Sequence, residues 1–160
     1  MNDLRHQQPD EVDRALLAEL ARDARTTNAQ LAARAGIAPS TAHARLRALE
    51  ARGIVRGYHA SVDQTRLGRG LQAMIGVTLR AGSRQESIER FAAEIGVLPQ
   101  VIELFFLSGS DDFQIHVAVA DSSELREFVV RHLSAQQTVA STRTSVIFAY
   151  QRNAVAASFE

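Results

Sequence analysis

The apolar residues of this 160-residue chain change their period once, near Ile54, and that change limits the fold more than any other feature. Ahead of it they recur at intervals of three and four, as on one face of a helix. Beyond it they tend to alternate, as on one face of a strand. A chain that is first helical and then mixed reads as a small all-helical domain followed by an α+β domain.

Residues 10–57 read as three short helices. Val12, Leu16, Leu17 and Leu20 form the apolar stripe of the first. The second opens with Thr27-Asn28-Ala29-Gln30, a capping-box pattern, turns Leu31 and Ala35 inward, and stops at Gly36. The third starts at Pro39, a residue suited to a first helical position, buries Ala42, Leu46 and Leu49, and ends at Arg52-Gly53. Two helices joined by a turn of about four residues containing Gly make a helix-turn-helix.

Residues 55–62 read as a strand leaving the helical domain, and residues 64–70, with two glycines, as a hinge. Leu71, Ala73, Ile75, Val77 and Leu79 then alternate with Gln72, Met74, Gly76 and Thr78. Ser83-x-x-Glu86 is a second capping box, and the helix behind it buries Ile88, Phe91, Ala92 and Ile95 before Gly96 and Pro99 end it. Residues 101–107 and 113–119 are strands joined by the hairpin-sized loop Ser108-Gly109-Ser110-Asp111-Asp112. Asp121-x-x-Glu124 opens a helix with Leu125, Phe128, Val129 and Leu133 inward, and residues 139–150 close as a strand. The order from residue 71 is βαββαβ, the ferredoxin-like unit.

With 46% apolar residues the chain can bury a core, and without cysteine it has no disulfides, thiolate metal sites or cysteine nucleophile. No apolar run reaches the roughly 20 residues of a membrane helix. The N-terminal residues include Asp3, Asp10, Glu11 and Asp13 and no apolar secretion-signal core, so a soluble, cytoplasmic protein without a membrane partner is expected. The balanced net charge is unevenly spread. Residues 26–70 hold seven arginines against Glu50 and Asp63, whereas residues 71–160 hold seven arginines against ten acids. Every basic side chain is Arg and none is Lys, and the guanidinium fork suits phosphate and guanine. A basic segment ahead of an acidic one fits a polyanion-binding module attached to a second function.

On the third helix Ser40, His43, Ala44 and Arg47 lie opposite the apolar stripe, with Thr41 and Arg45 at its edges. A short polar start with Arg behind it suits a helix entering the major groove N-terminus first, Arg47 meeting guanine or phosphate and Ser40 or His43 a base edge. An ordinary solvated face has the same pattern. Thr27 and Asn28 begin the second helix, where free N–H groups favour a phosphate, although Thr27 also serves as a cap. Arg34, Arg52 and Arg56 are further phosphate candidates or plain surface charge.

The run Val12-Asp13-Arg14 … Leu16-Leu17 … Leu20, then Asn28 … Leu31 … Gly36-Ile37-Ala38-Pro39-Ser40-Thr41, then Arg45-Leu46-Arg47 … Leu49-Glu50 … Gly53-Ile54-Val55 … Gly57-Tyr58 resembles the Lrp/AsnC (feast/famine) transcription regulators. The likeness continues through Leu107-Ser108-Gly109 … Asp112 and Thr142-Arg143-Thr144. It implies an α+β chain: an N-terminal (winged) helix-turn-helix over residues 9–57, with its second and recognition helices in 28–51. A strand linker and hinge over 58–70 would lead to a ferredoxin-like domain over 71–150, and a tail over 151–160 would follow. It also implies binding to double-stranded DNA, dimers and possibly octamers, and an amino-acid effector in place of any cofactor. It favours DNA over solvent for the third helix, and a small-molecule site for the Gly109, Ser110, Asp111 and Asp112 loop with Thr144 completing its lining. Without it, the two acids of that loop read as turn formers.

Three positions depart from the family pattern: Ala38 stands where Ser is usual, Asp111 replaces an aromatic, and Ser134-Ala135-Gln136-Gln137 replaces a Leu-Pro-Gly turn. Effector identity is therefore left open. His116 beside two acids suggests a metal, yet no second His is suitably spaced, so none is expected. There is no Gly-rich phosphate loop, Gly-x-Ser-x-Gly elbow or His pair with a carboxylate, so no catalytic residue is expected. The contrasting reading is a ligand-binding or enzymatic ferredoxin-like domain whose helical arm makes protein contacts.

Overall fold

A computed structural model describes residues 8–80, 82 and 85–150. The chain divides into two compact units between Ser61 and Val62.

The first unit is helical. α1 (Glu11–Arg22) starts at Asp10, whose carboxylate accepts from the Asp13 amide at 2.8 Å. α2 (Asn28–Ala35) carries the expected capping box: Thr27 Oγ1 accepts from the Gln30 amide, and Gln30 Oε1 accepts from the Thr27 amide at 2.9 Å. Gly36 ends the helix at φ 66°, a left-handed conformation that a Cβ disfavours. α3 (Pro39–Ala51) begins with Pro39 at its first position and Ala38 at the cap, where no side chain bonds the free amides. Leu16, Leu31, Ala32 and Ala42 form the buried centre, with Leu20, Ala35, Ile37 and Leu46 packed around it.

The strand expected over residues 55–62 is not formed. That stretch has no regular structure, and all four strands of the sheet lie in the second unit. A strand needs ladder partners for its N–H and C=O groups, and alternation of side chains does not supply them. The hinge contains a 3₁₀ turn, Thr65–Leu67, closed by Gly68 at φ 78°.

The second unit is an antiparallel sheet of β1 (Leu71–Leu79), β2 (Val101–Phe106), β3 (Phe113–Val119) and β4 (Val139–Ile147) in the order β2-β3-β1-β4. This is the ferredoxin-like arrangement expected from the element order. α4 (Gln85–Gly96) and α5 (Ser122–Phe128) supply the helical layer. Ala73, Ile75, Val77, Phe113, Ile115 and Val117 point from the sheet to Phe91 and Ile95 of α4 and to Leu125 and Phe128 of α5. The second capping box cannot be followed, because Ser83 lies outside the described residues. Beyond α5 the chain widens into a π-helical turn, Val129–Ser134, that keeps Leu133 buried. The last strand stops at Ile147, three residues short of the expected 150.

Candidate nucleic-acid interface and effector loop

Apolar packing sets the exposed face of α3. With Ala42 and Leu49 buried, Ser40, Thr41, His43, Ala44 and Arg47 are exposed. Neither His43 nor Arg47 has a side-chain hydrogen bond or ion pair among the described residues, so both are available to a partner. Arg56, beyond the helix, is exposed as well.

The other candidates are engaged. Arg45 turns off the exposed face toward α1, where one Nη1 donates to Asp10 Oδ2 at 2.6 Å and to Asp13 Oδ1 at 2.9 Å. Asp13 is only 7% exposed, and it and His116 are the buried polar residues among those described. The Asp13 backbone amide, and then the Arg45 guanidinium, hold the Asp10 carboxyl below its ordinary value, and the two carboxylates raise that of Arg45. Asn28 does not point freely from the start of α2: its Nδ2 donates to the Pro39 carbonyl at 2.8 Å, tying the first turn of α2 to the first turn of α3. Arg34 pairs with Glu19 of α1. Arg52 caps α3 at its C-terminal end and is half-buried. Thr27 is spent on the capping box, with its backbone position still at the helix start.

No local pattern pairs Asp10 and Asp13 with Arg45, or Glu19 with Arg34. Asp13 had a signal. It stands three, four and seven residues before Leu16, Leu17 and Leu20, so it occupies an apolar-stripe position, and an acid there needs a buried partner.

In the loop between β2 and β3, Asp112 staples the turn to the end of β1. Its Oδ2 accepts from the Leu79 amide at 2.6 Å, its amide donates to the Val77 carbonyl at 2.9 Å, and its carbonyl accepts from the Leu107 amide at 2.8 Å. Asp111 lies half-buried over β1, where it pairs with Arg143 of β4 at 3.1 Å. Gly76 makes that possible, since a Cβ there would lie 2.5 Å from Asp111 Oδ2. Gly109 and Ser110 are exposed, and a Cβ on Gly109 would meet nothing within 4 Å. Thr144 stands opposite Ile75 and so shares the core side of the sheet, whereas Arg143 stands opposite Gly76 on the other side. The structure therefore gathers Asp111, Gly76 and Arg143, and places Thr144 on the opposite face. His116 is only 6% exposed, with Nε2 3.0 Å from Gln72 Oε1 and Nδ1 3.6 Å from Glu103. The sheet register explains this, because it sets His116 against Met74 on a face those side chains cover.

A short helical triplet with an exposed polar face on its third helix is followed by a four-stranded ferredoxin-like unit. Residues 9–56 match the winged helix-turn-helix DNA-binding family, and residues 72–152 match the Lrp/AsnC ligand binding domain family. The HTH-type transcriptional regulator AldR of Mycolicibacterium smegmatis is 46% identical over 152 residues, covering 95% of this chain and 88% of that protein. The leucine-responsive regulatory protein of Rhizobium meliloti is 35% identical over 84% of this chain and 86% of its own length. Among solved structures, MtbAldR superposes with a TM-score of 0.75 at 40% identity, over 90% of this chain and 97% of that one. A transcriptional regulator of Neisseria meningitidis in complex with L-Met gives a TM-score of 0.82 at 30% identity, over 91% and 93%. The chain belongs to the Lrp/AsnC family of transcriptional regulators. The AldR relative is a transcriptional regulator and the Rhizobium meliloti relative a regulatory protein. No helix among the described residues is long and apolar enough to cross a membrane.

Proposed function

We propose that this protein is a sequence-specific regulator that reads double-stranded DNA with α3, works as a dimer or larger assembly, and responds to an amino acid held by residues 108–112. Residues 9–57 would bind DNA, 58–70 would link, and 71–150 would assemble and sense. The observation that carries the reading is the exposed Ser40, His43 and Arg47 face of α3, whose cation has no partner among the described residues. Arg56 fits a phosphate contact, and the free amides at the start of α2 beside Thr27 fit another. Two half-sites a helical turn or more apart call for a two-fold dimer. Phe105, Phe106 and Leu107 are exposed apolar side chains that a second copy would cover.

Fluorescence anisotropy against the DNA upstream of its own and neighbouring genes, at several salt concentrations, tests the DNA reading. Log affinity should fall steeply with log salt as each phosphate contact releases counterions. A flat dependence, or no binding at low salt, turns the helical unit into a protein-contact arm. Light scattering should give at least twice 17.5 kDa.

The L-Met complex of the Neisseria meningitidis relative supports an amino-acid effector, and Asp111 with Arg143 offers a charge of each sign to a zwitterion. Calorimetry with the twenty amino acids on wild type and on Asp111→Asn tests it. Asp112→Ala is a less clean variant, because it also unpins the loop from Leu79. No heat from any amino acid, or the same heat from both proteins, leaves residues 108–112 as a turn.

A further inference from the structure

We infer that Arg45 is a positioning residue of the recognition helix: with Asp13 and Asp10 it clamps α3 to α1, and it sets the angle at which Ser40, His43 and Arg47 meet DNA without itself touching DNA. The inference rests on the proposed reading of α3 as the DNA-reading helix.

Sequence position alone makes Arg45 look like a DNA contact, since it sits mid-helix two residues before Arg47. The geometry puts it elsewhere. Its guanidinium donates to carboxylates of α1 at 2.6 and 2.9 Å, and its side chain is 35% exposed, against 53% for Asp10 and 10% for Asp13. Moving it to a phosphate would strand the Asp13 carboxylate, buried and unpaired, which is the costly half of breaking such a pair. Two acids around one cation also leave the cluster net negative, a poor surface for a polyanion.

The helical unit needs such a clamp. Ala32 and Ala42 are two of its five buried apolar side chains among the described residues, and each has few atoms with which to interlock and fix a helix angle. Asn28 adds a second tie through the Pro39 carbonyl at the start of α3, so the helix is held at its first turn by α2 and at its middle by α1. Base readout needs bidentate contacts aimed within a fraction of an ångström, so a loosened angle lowers specificity before it lowers phosphate attraction.

The test uses the full chain and a duplex selected by the wild type from a random pool, with a scrambled duplex of the same composition as reference. Asp13→Asn removes a negative charge. Were electrostatics alone at work, it would tighten binding to both duplexes. The clamp predicts the opposite on the selected duplex: preference over the scrambled one falls about tenfold or more. Arg45→Ala should lose a similar factor and keep the wild-type salt slope, whereas loss of a phosphate contact would flatten the slope by about one. The double variant should be no worse than either single one, because both break the same unit. Asp10→Asn, which leaves the Asp13–Arg45 contact in place, should lose less than Asp13→Asn. Arg45→Lys should restore only part of the preference, since an ammonium has no planar fork. A flattened slope for Arg45→Ala overturns the inference, as does unchanged preference in Asp13→Asn. Equal loss on both duplexes overturns it too, because that is the result of misfolding. A wild type that selects no duplex removes the DNA reading and this inference together.

Discussion

The two units of this chain are held together by different forces. The sheet unit has a core of Phe91, Phe113 and Phe128 with branched side chains from β1 and β3, and the rings of Phe91 and Phe113 lie 4.8 Å apart. The helical unit buries a smaller apolar set, Leu16, Leu31, Leu49, Ala32 and Ala42, tied at its edges by Asp10, Asp13 and Arg45, by Asn28 and Pro39, and by Glu19 and Arg34. Fully burying a Leu or Phe contributes about 1.5–3 kcal/mol, whereas an Ala contributes far less. The sheet unit therefore gets both stability and shape from packing. In the helical unit packing gives cohesion and polar ties give the angles. Single polar substitutions should disturb the helical unit, and single large-to-small substitutions the sheet unit.

The largest expected effect lies in the apolar core. Phe91→Ala should cost about 3–5 kcal/mol, since it deletes a buried ring and leaves a cavity against Phe113. Amide hydrogen exchange should speed up across β1 and β3 and stay unchanged in α2. Equal acceleration in both units would break the contrast.

Next comes one chemical change made in both halves. Thr27→Ala removes a capping box and should cost about 1 kcal/mol. Thr78→Ala, whose hydroxyl makes a long bond to the Ser110 carbonyl at 3.4 Å, should cost under about 0.5 kcal/mol. Denaturant titration of both variants measures the difference, and a larger loss at Thr78 would contradict it.

What was legible in the sequence follows the same division. The capping box at Thr27, the Gly36 stop and the βαββαβ order are local patterns, readable from spacings of two to four residues. The strand expected over 55–62 was misread because alternation reports side-chain environment and says nothing of a ladder partner. Arg45 and Asp13 are 32 residues apart, and no local period connects them. Asp111 with Gly76 and Arg143 was hidden for a related reason. Gly76 read as an ordinary outward position, and its missing Cβ matters only once the register brings a carboxylate above it. Thr144 was grouped with the loop by resemblance, and one step of strand alternation puts it on the other face.

A smaller effect of opposite sign is expected where the helical unit lacks a tie. Ala38 has the extended backbone of a helix cap, φ −69° and ψ 146°, is exposed, and offers no side-chain acceptor. Ala38→Ser should stabilise by about 0.5–1 kcal/mol. Should the gain be absent in denaturant titration, the free amides of α3 are already satisfied, and the ties matter less than supposed.

The smallest expected effect is acid sensitivity confined to the helical unit. Asp10 caps α1 and bonds Arg45, and both contacts favour its charged form, so its folded-state pKa lies below the ordinary 3.8. A depressed carboxylate pKa stabilises the folded state at pH values above the unfolded value, and that contribution is lost as pH falls through the lower, folded value. Asp10→Asn keeps a capping acceptor and removes the charge. Wild type should therefore be the more stable of the two at neutral pH, and the difference should close below about pH 4. Because Asp10 is largely open to solvent, 0.5 M salt should shrink the same difference at neutral pH. Melting temperatures of the two proteins from pH 7 to pH 2, at low and high salt, measure both effects. A gap that persists at pH 2 would assign the loss in Asp10→Asn to the geometry of the cap and leave the charge of Asp10 without a part in holding α3 to α1.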